Sequence, residues 1–545
     1  MFKENVSHNQ PDIFAVKNIL PENLKKRYEK SWAKNFYENV FCRINEKIFE
    51  VLFSEVYSRP NTPVNIYVSL EVLKENFGLN DEDLLDRFHF DNMFILAMGL
   101  NSIGEKTISE RAFYNMRSRV VEYEEKTGIN LIFEIFKNIK DDYIDKLKIN
   151  KGIKRIDSTL IGSNIKRLNR IRLFLETLRV FLNSLDNKNL KKLKNKIIEY
   201  KDIDVDNFVY KLRNEEAKTK IQEAAEHLYK VRNVFKNNSA IKETKEYKNI
   251  VRVINEHLNT DNKIEIKENK DISSGSMQSP HDTDATFRSK GEQAKQGYSV
   301  TLAETCSKEN KIQIITDVIV EGNNKDDSKI FEENFENIMN KDTGTAIVDG
   351  AYLNDKIKEK AEGNNKEIVA TAIRGRKPEQ DKVSLLDYKI KNNKLISCPN
   401  GKKPVSQKSE TNNITARFSH KVCDGCQLNC IIRKNKRKDN VLLLDKSKIG
   451  TEKQRVKFKT KEYIEKCSLR PAIEGAMFLL KLHLRNGKSK FRGKIKIKNR
   501  SILRAIGINF NRLYSYQLKK LILKSNFLFE LIFKIKILLK DQYVY

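Results

Sequence analysis

Residues 346–352 read AIVDGAY, three apolar residues that run straight into Asp349 and a glycine. A short apolar run stopped by an acid and a turn residue predicts a buried strand with Asp349 at its end. Outward on either side, 328–339 and 353–361 carry helical spacing, and 368–373 (IVATAI) returns to strand character. Upstream, 298–305 (YSVTLAET) and 311–320 (KIQIITDVIV) flank the turn-like SKEN and predict an antiparallel hairpin. Earlier still, 153–157 (IKRID) is another short strand that ends in an acid, Asp157, followed by the small and polar STLIGSN. Helices alternating with strands place this part of the chain in the α/β class.

The flanks differ. From 35 to 123 the pattern is helical: Ile44, Ile48, Val51, Leu52 and Val56 recur at helical spacing, the prolines of 58–64 (SRPNTPV) end that helix, and further helices are expected over 69–77, 80–88 and 109–125. Residues 166–256 are long, charged helical patterns with scarcely a Gly or Pro, and 259–283 reads as an extended connector. The Lys-rich stretch 375–458 is expected to be irregular, and a helix through Glu474 is expected to be the last folded element.

Composition bounds the rest. With 545 residues the chain has room for several domains and sizeable cores, which excludes a disulfide-stapled miniature. No window approaches the roughly 18 apolar residues of a membrane span, and the start MFKENVSHNQPDIF lacks a signal-peptide core, so a soluble cytoplasmic protein is expected. Against 73 Asp+Glu stand 104 Lys+Arg, a net charge of +31, which points to an anionic polymer as partner, nucleic acid first.

Three acids stand out by context: Asp157 and Asp349 at strand ends, and Glu474 inside the apolar stretch RPAIEGAMFLL. Carboxylates at the ends of neighbouring strands plus one from a packed helix suit two Mg²⁺ ions, which prefer oxygen ligands and assist phosphodiester cleavage. Each acid alone is more often a cap or turn residue. Their order is more telling: strand with Asp, hairpin, helix, strand with Asp, helix, strand, helix with Glu is the order of an RNase H-like domain interrupted twice. Arg470, Glu474 and Lys481, spaced by four and seven residues, would share one helical stripe if the helix began near Ser468. The competing reading of Arg470–Glu474 is an ordinary surface ion pair.

The residues IDSTLIGSNIK, IVDGAY and the R-(3)-E-(6)-K spacing resemble DDE transposases of bacterial insertion sequences, in a group with a helical N-terminal domain and a cysteine-bearing insert before the catalytic Glu. The segments RINEKIFEVLFSEVYSRPNTPV, GLNDEDLLDRF, FYNMRSRVVEY, SPHDTDATFRSKGEQAKQGYSV and FRGKIKIKNRSILRAIGINFNRL are similar to that group as well. The resemblance implies an RNase H-like catalytic core over 150–165, 280–375 and 460–510. Around it would lie a helical DNA-binding domain at 1–145, a helical insertion and linker at 166–279, a cysteine-rich insertion at 376–459 and a basic tail at 511–545. It implies catalysis by Asp157, Asp349 and Glu474 on two Mg²⁺ ions, with Mn²⁺ as a substitute. Double-stranded DNA, both element ends and target, would be the partner, and synapsis of two ends implies a homodimer or larger assembly. One departure is visible: Cys467 stands where the family has Tyr three residues before the Arg. Asp282 and Asp284 are reserve candidates for the first acid. The alternatives are a structure-selective nuclease on the same fold and a transposase-derived DNA-binding protein without catalysis.

Of the seven cysteines, Cys398, Cys423, Cys426 and Cys430 follow C-x24-C-x2-C-x3-C. They are candidate ligands of a structural Zn²⁺, with His420 as a substitute ligand, against unliganded reduced thiols. The segment looks too poor in apolar residues to fold on a core of its own. The basic run IIRKNKRKDN after Cys430 is either a DNA contact or a solvated charge run. Between Glu474 and Glu530 there is no acid, while Lys481, Lys488, Lys490 and Arg492 begin a series of cations. Such a tract fits a duplex-phosphate track.

Overall fold

A computed structural model describes residues 1–10, 15–54, 61–261, 263–290, 293–373, 382–430, 432–434 and 440–541. In chain order its principal elements are helices α1 (Val64–Phe77), α2 (Asp81–Phe90), α3 (Glu110–Thr127) and α4 (Leu131–Leu147), strand β1 (Ile153–Gly162), and helices α5 (Arg170–Ser184), α6 (Asn214–Phe235) and α7 (Lys245–His257). Strands β2 (Thr286–Lys290), β3 (Gln293–Thr305), β4 (Ile315–Gly322) and β5 (Thr345–Val348) follow, then α8 (Asp355–Gly363) and β6 (Glu367–Ala370). The last part holds β7 (Ser406–Ser409), β8 (Asn413–Phe418), β9 (Ile432–Lys434), β10 (Asn440–Asp445), α9 (Lys461–Cys467), α10 (Ile473–Lys481) and α11 (Lys494–Asp541). The chain divides into two compact units: Met1–Asn150, Asp157–Asp326 and Glu474–Tyr545 form one, Lys151–Ile156 and Asp327–Ile473 the other.

In the first unit the expected hairpin is present as β3 and β4, antiparallel from Tyr298 opposite Gly322 to Glu304 opposite Ile315. A strand not foreseen, β2, extends it on the other side of β3, with Thr286 opposite Gly297. Gly297 lies so close to β1 that a Cβ there would stand 2.2 Å from the Ile161 carbonyl oxygen, which makes this position glycine's by necessity. The helices α5 to α7 carry their own core, in which Phe174, Leu178 and Phe181 meet Leu228, Val231, Phe235, Ile250 and Val253. Their charged faces are laced by pairs of opposite sign such as Arg172–Asp206 and Arg252–Glu256.

Two expectations fail in this unit. Residues 46–52 form a 3-10 helix, not the α-helix expected from the spacing of Ile48, Val51 and Leu52, and Val56 lies outside the described residues. Glu474 does not open the last folded element, because α11 follows it. Ile497, Ile502, Leu503, Ala505, Ile506, Ile508, Phe510 and Leu513 of α11 are all buried. The apolar pattern was hidden by cations that turn inward as well. Arg500 pairs with Glu75 of α1 at 3.0 Å, and Arg504 donates to the carbonyls of Leu479, Glu75 and Asn76.

In the second unit Ile153, Lys154 and Arg155 pair in parallel with Thr345, Ala346 and Ile347 of β5, and β5 pairs in parallel with β6. Parallel neighbours need a crossover, and α8 supplies it between β5 and β6. Tyr463 of α9 closes the end of β6: its hydroxyl accepts from the Ala370 N–H and donates to the Ala370 carbonyl, both at 3.0 Å. The stretch expected to be irregular is an antiparallel sheet, β7-β8-β10-β9. Alternation in NITARF and NVLLLD puts Ile414, Ala416, Phe418, Leu442 and Leu444 on one face. With Leu385, Tyr388 and Leu395 they form a small core, so the segment does have one. Cys398, Cys423 and Cys430 pack against it and add apolar surface that an apolar count omits.

Parallel strands with a helical crossover in one unit and an antiparallel meander in the other make a mixed α/β chain, which fits an RNase H-like fold. Among the described residues no helix is long and apolar enough to cross a membrane.

Candidate functional site

Asp157 lies within β1 and is half-buried, its Oδ1 accepting the Ser158 N–H at 2.9 Å. Asp349 follows the last residue of β5 and makes the same contact with Gly350 N–H at 2.7 Å. Gly350 is required: a Cβ there would meet the Ala372 carbonyl oxygen at 2.3 Å. In both acids the following amide fixes one carboxylate oxygen and so limits how the group can turn. Glu474 is exposed in the first turn of α10. Asp157 and Glu474 belong to the first unit and Asp349 to the second. Among the described residues no three His, Cys, Asp or Glu side chains are grouped to hold a metal ion.

The expected stripe of Arg470, Glu474 and Lys481 is corrected in part. Glu474 is the second residue of α10 and Lys481 its last, but Arg470 precedes that helix, in the turn after α9, where its N–H donates to the Cys467 carbonyl. Pro471 explains the shift: the helix begins only at Ile473, whose N–H donates back to Arg470.

The reserve acids separate cleanly. Asp282 is buried and accepts from the Ser163 hydroxyl, the Tyr298 hydroxyl at 2.5 Å and the Gly493 N–H at 2.9 Å. Three donors make it a structural acid that ties β1, β3 and the loop before α11 together. Asp284 is exposed.

The loop between α10 and α11 lies along the end of β1. Gly162 bridges Lys488, the Ser489 N–H donates to the Gly162 carbonyl, and the Asn164 N–H donates to the Phe491 carbonyl. Two expected DNA contacts hold this loop: Lys488 Nζ donates to the Ile165 carbonyl at 2.6 Å, and Arg492 Nε to the Asn164 carbonyl at 2.7 Å. Lys490 is exposed. Phe491 lies under Arg117 and Lys74, at 5.5 and 5.0 Å from its ring centre. Further along, the acid-free tract finds its acids elsewhere in the fold: Lys494 pairs with Glu321, Lys498 with Glu124 and Arg512 with Glu304.

All four clustered cysteines line one cavity of about 30 Å³, with Tyr388, Phe418, Leu428 and Leu442 among its walls. Burial pushes the Cys423 and Cys430 thiols up, and the neighbouring thiols add to it. Gly401, at φ +73°, turns the chain after Cys398. The four thiols share this one small space without being grouped closely enough to hold a metal ion in this structure. Ile431 and residues 435–439 of the basic run after Cys430 lie outside the described residues.

No curated protein and no solved structure matches the chain. Residues 397–514, which hold the cysteine cluster, Arg470, Glu474 and the cations from Lys481 to Arg492 but not Asp157 or Asp349, match the family described as the transposase DDE domain, and this match supports a DDE transposase.

Proposed function

We propose that the protein is the DNA transposase of an insertion sequence, cutting element ends and joining the freed 3′-OH to target DNA. The observation that carries the reading is the match to a transposase DDE domain over a span that includes Glu474. Asp157, Asp349 and Glu474 would hold the divalent metal, Mg²⁺ by preference for oxygen donors. When bound, the metal pair lowers the pKa of the attacking water or hydroxyl and neutralises charge on the leaving oxygen. Ser158 and Gly350 amides keep one oxygen of each aspartate oriented. Lys481 and Lys490 bind phosphates, Arg470 assists from the turn before α10, and Lys488 and Arg492 hold the loop and offer their remaining N–H donors. The four cysteines would hold a structural Zn²⁺, and two copies would pair the ends.

The test is strand transfer. Purified protein with Mg²⁺, duplexes copied from the sequence flanking the gene and a supercoiled plasmid should yield covalently joined product. Asp349→Asn and Glu474→Gln should each lower that yield by at least about a hundredfold, on the scale of losing a main electrostatic stabiliser, with unchanged unfolding midpoints. Cleavage without joining would make it a nuclease. Metal-dependent cleavage that persists in both variants would refute the site.

A further inference from the structure

Lys295 was not singled out by its sequence, yet its surroundings are unusual. It sits on β3 directly opposite Arg288 of β2, so two cations share one face of an antiparallel pair. Like charges in that position repel. Across from them is the turn after α10, where Gly487 takes φ +68° and a Cβ would stand 2.6 Å from Lys295 Nζ. The Lys295 ammonium group therefore lies against this turn. Lys481, in the last turn of α10, is close enough for its charge to act on Lys295, whose pKa is lowered by burial first and by Lys481 second. Elsewhere in this unit cations of the same region have acids: Lys494 meets Glu321, and Lys325 meets it too. For Lys295 and Lys481 no carboxylate within ion-pair distance is found among the described residues. Half-buried cations gathered from β3 and α10 beside this turn lack an acidic partner.

We propose that Lys295 and Lys481 together grip one phosphodiester group of duplex DNA. The inference rests on the DNA-acting role proposed above and adds a residue from outside the matched transposase span. A phosphate oxygen between the two ammonium groups supplies charge that the fold withholds from this spot, and it needs no base contact, so the grip is indifferent to sequence.

Fluorescence anisotropy with a labelled duplex of arbitrary sequence tests this through the salt dependence of binding. Lys295→Gln should flatten the slope of log affinity against log salt by up to about 0.9, the value for one neutralised phosphate, and weaken binding several-fold for every duplex tried. Lys295→Arg, which keeps the charge, should restore both. The double variant Lys295→Gln/Lys481→Gln should lose less than the product of the single losses, because both side chains serve one phosphate. Lys218→Gln, an exposed lysine of α6, controls for the loss of one charge anywhere. A Lys295→Gln slope equal to that of Lys218→Gln overturns the assignment while duplex binding by the unaltered protein leaves the transposase reading standing. Absence of salt-dependent duplex binding by the unaltered protein overturns both.

Discussion

Asp157, Asp282 and Asp349 look alike in sequence, each an acid beside a small residue or a turn, and only their hydrogen-bond partners tell them apart. Asp282 is surrounded by Ser163, Tyr298 and the Gly493 amide, none of which is near it in sequence. Replacing it with Ala leaves two buried donors and one half-buried donor without an acceptor, which should cost about 2–4 kcal/mol. Equilibrium urea unfolding measures this, and a loss under about 0.5 kcal/mol, the range of ordinary surface substitutions, would refute a structural role. The strand end bearing Asp349 was legible because a short apolar run announces it, whereas Asp157, expected to end its strand, lies in the middle of β1, which runs on through STLIG to Gly162. The partners of Asp282 were not, because long-range donors leave no local pattern. Arg470 shows a third case: its spacing to Glu474 fits a helix, but Pro471 moves the helix start beyond it.

At the scale of an element, α11 shows how charge conceals a core. A run rich in Lys and Arg without acids reads as a surface for phosphate, yet its Arg500 and Arg504 are buried against α1 and α10. Burial and the charge of Arg500 hold Arg504 down to about 10, although Glu75 opposes them. The acids that answer this helix, Glu75, Glu124, Glu304 and Glu321, lie far away in sequence. Arg500→Ala leaves Glu75 buried and unpaired, so it should destabilise the protein by about 3–5 kcal/mol. Adding Glu75→Gln should recover a substantial part, since the stranded charge is then gone. A double variant no more stable than Arg500→Ala in denaturant titrations would show that the pair is not what matters. The sheet β7-β8-β10-β9 was missed for a related reason: its strands are short and lie among lysines, and part of its core is thiol.

For the whole molecule, the same charge that suits a polyanion should make the fold sensitive to acid. Asp81 is held down to about 2: burial raises its pKa, but hydrogen bonds from Arg117 and Lys74 and their charges outweigh that. Glu176 is likewise at about 2, burial being outweighed by Arg179 and His281. Both folded values lie below the unfolded ones, 3.8 for Asp and 4.5 for Glu. Their stabilisation is thus fully present above the unfolded values and is lost as pH falls towards 2. Each contributes on the order of 2 kcal/mol. Over the same interval protonation of the 73 acids uncovers the repulsion among 104 Lys and Arg. Unfolding midpoints followed from pH 6 to pH 2.5 by circular dichroism should therefore fall steeply below about pH 4.5, where the carboxylates begin to protonate. Added salt should recover part of the loss at the acid end, because it screens the exposed cations, and little near neutrality. Arg117→Met should lower the neutral plateau and flatten the acid limb, since Asp81 then titrates nearer its unfolded value. A midpoint that stays level down to pH 2.5, or an acid limb unmoved by Arg117→Met, would show that these two half-buried pairs do not govern acid unfolding.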